Sequence, residues 1–213
     1  MPILTAITLH EASHGFVAYL MGDDTAYQMK RVTLNPIKHI DIFGTIILPV
    51  ILLFTTSFVF GYAKPVPIDI SKFHNPRRDM VWVAFAGPFA NILMAIVWAL
   101  LFFSVPTIPE SISDWWQKML IIGLQLNIIL AVFNMLPILP LDGGRIVACL
   151  MPRSLAVKFV RTERFGFFIL LGVLIVIPVL ADLFGLSFNP LTIILTPIME
   201  WVIMLLVAVL GLG

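Results

Sequence analysis

The 213-residue chain is poor in charge: Asp, Glu, Lys and Arg make up 12% of it. Soluble domains carry about 25%. Formal net charge is +1, so there is no basic footprint for DNA or RNA and no nucleic-acid partner is expected. The single cysteine, Cys149, excludes an internal disulfide. No internal repeat or low-complexity tract is visible. The N-terminus lacks a basic region followed by a small-residue cleavage site, so no secretory signal is expected. What the chain has instead is apolar surface: 60% hydrophobic residues and a mean hydropathy of +1.04. A water-soluble fold of this length cannot hide that much. The composition points to a polytopic membrane protein with the lipid bilayer as its solvent.

Charged residues divide the chain into apolar stretches at 42–63, 80–109, 119–141, 165–181 and 191–213, the last interrupted only by Glu200. A spanning helix needs about 20 residues. Pro2 to Met21 has a suitable length but holds His10, Glu11 and His14, and Gly22 reads as its stop. The expected fold is all-α: five transmembrane helices plus a re-entrant Ile42–Ala63 segment, or six spans. A small β-prone run, Gln28–Leu34, follows the first helix. One membrane-embedded domain is expected over 1–213, with a catalytic core at about 1–152 and additional apolar helices over 165–213.

Basic residues accumulate on the cytoplasmic side of membrane proteins. If every stretch crosses, the 13 lysines and arginines divide nine against four. If Ile42–Ala63 dips in and returns, they divide twelve against one, with Lys118 alone opposed. Gly44 and Pro49 interrupt that stretch, and broken backbone at membrane depth is tolerated where protein surrounds it. The second arrangement fits the rule better.

The chemistry concentrates in His10-Glu11-Ala12-Ser13-His14, an HExxH pattern. Residues four apart share a helix face, so both imidazoles can hold one zinc ion with Glu11 beside it as general base. As an ordinary polar helix face the motif would be costly here, because a charged group at mid-bilayer costs roughly 2.5–3.5 kcal/mol; a metal supplies compensation. A catalytic zinc takes a third protein ligand and leaves a position open. Asp142 and His39 are the candidates. Asp142 is the better placed, because Pro137, Pro140, Gly143 and Gly144 break the apolar stretch around it. Its ordinary role would be to cap a helix starting at Gly143. In the re-entrant arrangement the first helix and the 119–141 helix leave on the same face, so His14 and Asp142 can meet.

The HEASH pentad, Ala86-Gly87-Pro88-Phe89-Ala90-Asn91 and the stretch from Asn134 to Gly144 together resemble the site-2 protease family, zinc peptidases that cut within the membrane. Lys64-Pro65-Val66-Pro67 and Asn75-Pro76-Arg77-Arg78-Asp79 resemble its compact bacterial members. The resemblance covers most of residues 1–152. It implies one Zn²⁺ held by His10, His14 and Asp142, water activated by Glu11, a substrate-orienting Asn134 and a site-supporting Asn91. It also implies a membrane-embedded protein as substrate and a multi-pass protein of the cell membrane, its active site toward the cytoplasm. Only nine residues precede His10, fewer than the family usually carries. The competing functions are an ion transporter and a non-catalytic metal-binding membrane protein. His39 and His74 read as interfacial, the five tryptophans as interfacial belts or packing, Cys149 as structural, and Glu200 as an intramembrane acid that is a functional candidate or else faces a partner subunit or a water pocket.

Overall fold

The structure, a computed structural model, describes residues 2–47, 49, 50, 54, 62–186 and 188–211. Among these the chain is helical, with no strand. In order come α1 (Pro2–Leu20), α2 (Thr25–Gln28), α3 (Pro76–Leu100), α4 (Glu110–Asn134), α5 (Asp142–Leu150), α6 (Arg153–Val160), α7 (Glu163–Leu171), α8 (Ile177–Leu183) and α9 (Pro190–Leu210). A π-helical turn, Gly172–Val176, joins α7 and α8 into one rod. Among the described residues, four helical segments are long and apolar enough to cross a membrane: Pro76–Thr107, Glu110–Asn134, Glu163–Leu183 and Thr192–Leu210.

α3 is the hub, with α1, α4 and α5 packed on it; α1 also lies along α4, and α9 covers α4 from outside. Lipid tails are as apolar as leucine, so helices associate in a membrane by close packing through small residues. The contact faces follow that rule. Ala6 and Ala18 of α1 and Ala84, Ala95 and Ala99 of α3 are buried. On α9, by contrast, Ile193, Trp201, Met204 and Val209 are exposed, as lipid-facing residues are.

α1, with its His-Glu-His turn, is not among these four segments, and it packs one face on α3 and α4 while Phe16 and Leu20 stay exposed. It ends where Gly22 was expected to stop it. Gly22 adopts φ 107°, and the Asp23 and Gly22 amides donate to the Ala18 and Tyr19 carbonyls at 2.9 and 3.2 Å. That is a Schellman closure, which needs a left-handed residue at Gly22.

Two expectations are corrected. The Gln28–Leu34 run forms no strand: Gln28 ends α2, and the rest makes turns and bends that pack against α1. Its β-branched residues find no partner strand among the described residues, and strand propensity without a ladder is weak. Charged residues also do not end helices here. Glu110, Asp114 and Lys118 lie inside α4, and the basic 142–164 connection folds into α5 and α6.

The Ile42–Ala63 stretch falls partly outside the described residues, at 48, 51–53 and 55–61. Its two ends are described, and they meet. The Tyr62 amide donates to Gly44 O at 3.0 Å and Thr45 Oγ1 donates to Tyr62 O at 2.9 Å. The Lys64 amide donates to His39 O at 2.9 Å.

Candidate metal centre

One helical turn sets His10 above His14 on the face of α1 that meets α3. Both histidines are 7% exposed. They reach the α3 backbone because position 87 carries no side chain. A Cβ on Gly87 would lie 2.5 Å from His14 Nε2 and 2.7 Å from His10 Cε1. The sequence reading missed this role for Gly87, although it lies in the quoted Ala86–Asn91 element. A small residue one turn before a buried asparagine was the available signal.

Asp142 comes from elsewhere. α4 stops at Asn134, and residues 135–141 loop back through Pro137 and Pro140. A Cβ on Gly143 would stand 2.2 Å from Met135 O, and one on Gly144 2.6 Å from Ile138 C. The glycines therefore let the first turn of α5 nest directly on the loop backbone. Leu141 anchors this loop in a cluster with Leu170, Leu174 and Leu195. Asp142 is the first residue of α5, follows Leu141 as the cap position, and makes no side-chain capping bond.

The three side chains converge. His10 Nε2 and His14 Nε2 are 3.1 Å apart, and each is 3.3 Å from Asp142 Oδ2. Their far nitrogens are held by acceptors. His14 Nδ1 donates to Val83 O at 2.7 Å, and His10 Nδ1 faces Asn91 Oδ1 at 2.6 Å. Asn91, fully buried, donates through Nδ2 to Ala6 O at 3.2 Å, which turns its oxygen toward His10. Both Nδ1 atoms thus carry their protons, and in the neutral rings both Nε2 lone pairs point inward. Asp142 Oδ2 is buried with no hydrogen-bond donor. Three electron-rich atoms this close, with no proton between them, repel unless a cation sits among them.

Zinc fits that demand. Ligands at about 2.0–2.1 Å from a tetrahedral zinc stand roughly 3.3–3.4 Å apart, close to the observed 3.1, 3.3 and 3.3 Å. Among the described residues, His10, His14 and Asp142 form the group able to hold a metal.

The remaining candidates fall as follows. Glu11 lies in the same turn, half-buried, and its Oε2 accepts the Val66 amide at 2.9 Å. Asn91 touches His10. Asn134 is half-buried at the end of α4 and donates to Leu130 O at 2.9 Å, within its own helix. His39 is not brought to the cluster: it is buried and its Nε2 lies 3.0 Å from Thr33 O. Cys149 packs beside the Phe73–Met80 cluster. Glu200 is exposed on α9.

The profile of peptidase family M50 matches residues 106–177, the part that carries Asn134 and Asp142. Over 180 residues the chain is 38% identical to "Putative zinc metalloprotease YwhC" of Bacillus subtilis, covering 83% of this chain and 78% of the relative. It is 28% identical to "Putative zinc metalloprotease Rip2" of Mycolicibacterium smegmatis over 176 residues, covering 81% of this chain and 64% of the relative. With "Putative zinc metalloprotease MJ0611" of Methanocaldococcus jannaschii it shares 34% identity over 99 residues, 46% of this chain and 49% of that one. No solved structure matches. Profile, relatives and converging side chains agree: this chain belongs to peptidase family M50, the site-2 protease family of zinc metalloproteases.

Proposed function

We propose that this M50 peptidase cleaves membrane-spanning segments of protein substrates, with His10, His14 and Asp142 as zinc ligands and Glu11 as the general base. The observation that carries this is the convergence of the two Nε2 atoms and Asp142 Oδ2 within 3.3 Å, deep in a helical bundle. Bound zinc supplies a Lewis acid that lowers the pKa of water to about 7 and polarises a peptide carbonyl. Glu11 takes the proton from the attacking water and returns it to the leaving nitrogen. One Glu11 oxygen is fixed by the Val66 amide, which leaves the other for the proton. The Lys64–Pro67 segment therefore orients the base.

A helical substrate must unwind before its carbonyls can be attacked. Residues 1–213 act as one membrane-embedded unit, in which the helices after residue 165 hold the Asp142 loop through Leu170, Leu174 and Leu195.

We assign the site to the cytoplasmic half of the membrane, with Ile42–Ala63 re-entrant. The hydrogen bonds joining Gly44 and Thr45 to Tyr62 support this. A segment crossing a hydrocarbon core of about 30 Å cannot have touching ends. Five helices then span, α1 among them.

The test uses the purified chain in lipid and a single-span substrate. Wild type cleaves it and stops when 1,10-phenanthroline removes the metal. Glu11→Gln keeps one zinc per chain and does not cleave, whereas His10→Ala loses the zinc. Cleavage by Glu11→Gln removes Glu11 from its role. An ion transporter would show zinc binding with no proteolysis at all.

A further inference from the structure

We infer that Asn127 is a positioning residue for the metal centre: through Asn91 it fixes which nitrogen of His10 faces the site. This rests on the zinc-ligand reading of His10 above.

Asn127 sits within α4, is fully buried, and hydrogen-bonds to Asn91 and Gly123 rather than to the imidazoles or Asp142. Its Nδ2 donates to Gly123 O, one turn back, at 2.8 Å. A carbonyl only accepts, so this bond fixes the amide's orientation and turns Oδ1 outward. Oδ1 then accepts from Asn91 Nδ2 at 3.0 Å. The second proton of Asn91 Nδ2 goes to Ala6 O at 3.2 Å. Both donors of Asn91 are thereby used, and its oxygen is left for His10 Nδ1 at 2.6 Å. A flipped Asn91 would set its oxygen against two acceptors at once. The relay is pinned at both ends by backbone carbonyls, Gly123 O and Ala6 O, and it joins α4, α3 and α1.

The consequence is chemical. With its oxygen facing His10, Asn91 demands a proton on Nδ1, which leaves Nε2 bare for a metal. Without Asn127, one donor of the fully buried Asn91 has no protein partner. The flipped amide then competes: it donates to Nδ1 and sends the imidazole proton to Nε2, where it blocks ligation. Two buried amides inside membrane helices are expensive, and a core of leucines would pack as well. Their use in holding one tautomer explains why they are there.

The experiment compares wild type, Asn127→Leu, Asn127→Ser and Ile128→Ala, each purified as the full chain in lipid nanodiscs. The serine keeps the bond back to Gly123 O but is too short to reach Asn91. Ile128 is equally buried on the same helix and outside the relay, so Ile128→Ala reports plain loss of packing. Zinc affinity is read by competition with a chromophoric chelator, and ligand geometry by the visible spectrum of the cobalt(II)-loaded protein. Both Asn127 variants should bind zinc 10- to 100-fold more weakly, the usual scale for losing a group that orients a ligand. Their cobalt spectra should change. Ile128→Ala should melt lower yet keep wild-type affinity and spectrum. Wild-type zinc affinity and an unchanged cobalt spectrum in Asn127→Ser overturn the inference, as does an equal loss in Ile128→Ala. If wild type binds no metal, or His10→Ala binds it as well as wild type, the zinc-ligand reading itself fails.

Discussion

Replacing Gly87 with alanine separates the fold from the metal centre by magnitude. The new methyl would stand 2.5 Å from His14 Nε2, 2.6 Å from His14 Cε1 and 2.7 Å from His10 Cε1. Favourable contacts between such atoms lie near 3.5–4.0 Å, so the imidazoles must retreat by about 1 Å. Metal sites hold their ligand distances to about ±0.2 Å. The required shift is roughly five times that tolerance. The cost to the fold is smaller. Overpacking takes about 1–3 kcal/mol, and removing a helix-interior glycine returns roughly 1 kcal/mol. The net, about 0–2 kcal/mol, is well inside an ordinary folding stability of 5–15 kcal/mol. Gly87→Ala should therefore insert, fold and melt near the wild-type temperature, yet copurify without zinc and fail to cleave. The assay pairs metal analysis of the purified protein with a melting curve of the metal-free form. Stoichiometric zinc at wild-type affinity in Gly87→Ala would refute the claim that the imidazoles occupy the space of the missing side chain.

Two further outcomes follow from the structure. In a Cys149→Ala background, cysteines introduced at Lys38 and Ser154 should react with a membrane-impermeant maleimide only after cells are opened, and one at Ser111 in intact cells; labelling of Lys38→Cys from outside would show that Ile42–Ala63 crosses. The second outcome concerns the exposed connection between α1 and α3. There the hydrogen bond from Lys72 holds the Asp24 carboxyl below its ordinary pKa, and the same bond raises Lys72. Asp24's contribution to stability is thus present above the ordinary carboxylate pKa and is lost as pH falls through its lowered value. Lys72's contribution is present below the ordinary lysine pKa and is lost as pH rises through its raised one. Lys72→Met should flatten the acid limb of the melting-temperature profile and reduce its salt dependence; an unchanged limb would show that the pair does not couple to folding.

Much of the candidate site was legible in the sequence. The HExxH turn names His10, Glu11 and His14, since four residues make just over one helical turn and the side chains must share a face. The two prolines and two glycines around Asp142 declare a broken helix, and an acid within one is hard to explain by packing alone. Low charge and high hydropathy fix the solvent. Charge also misled. Glu110, Asp114 and Lys118 look like a boundary in the sequence but lie inside α4, because a helix that begins in the headgroup region carries charge in its opening turns without penalty. The β-prone Gln28–Leu34 run failed for a related reason: a strand is defined by a neighbour, and local preference does not create one.

The sequence by itself determined the membrane setting, the paired imidazoles and the all-helical character, because each is a matter of composition or of spacing within one helical turn. Only the tertiary structure decided that Asp142 rather than His39 meets them, that Gly87 leaves the room, that Asn127, Asn91 and His10 are joined by hydrogen bonds, and that the ends of the 42–63 stretch touch. Those depend on which helix faces cross, and crossing is set by close packing among alanines and glycines far apart in the chain. Helical periodicity reports what lies on one face of one helix; it carries no record of what the facing helix will present.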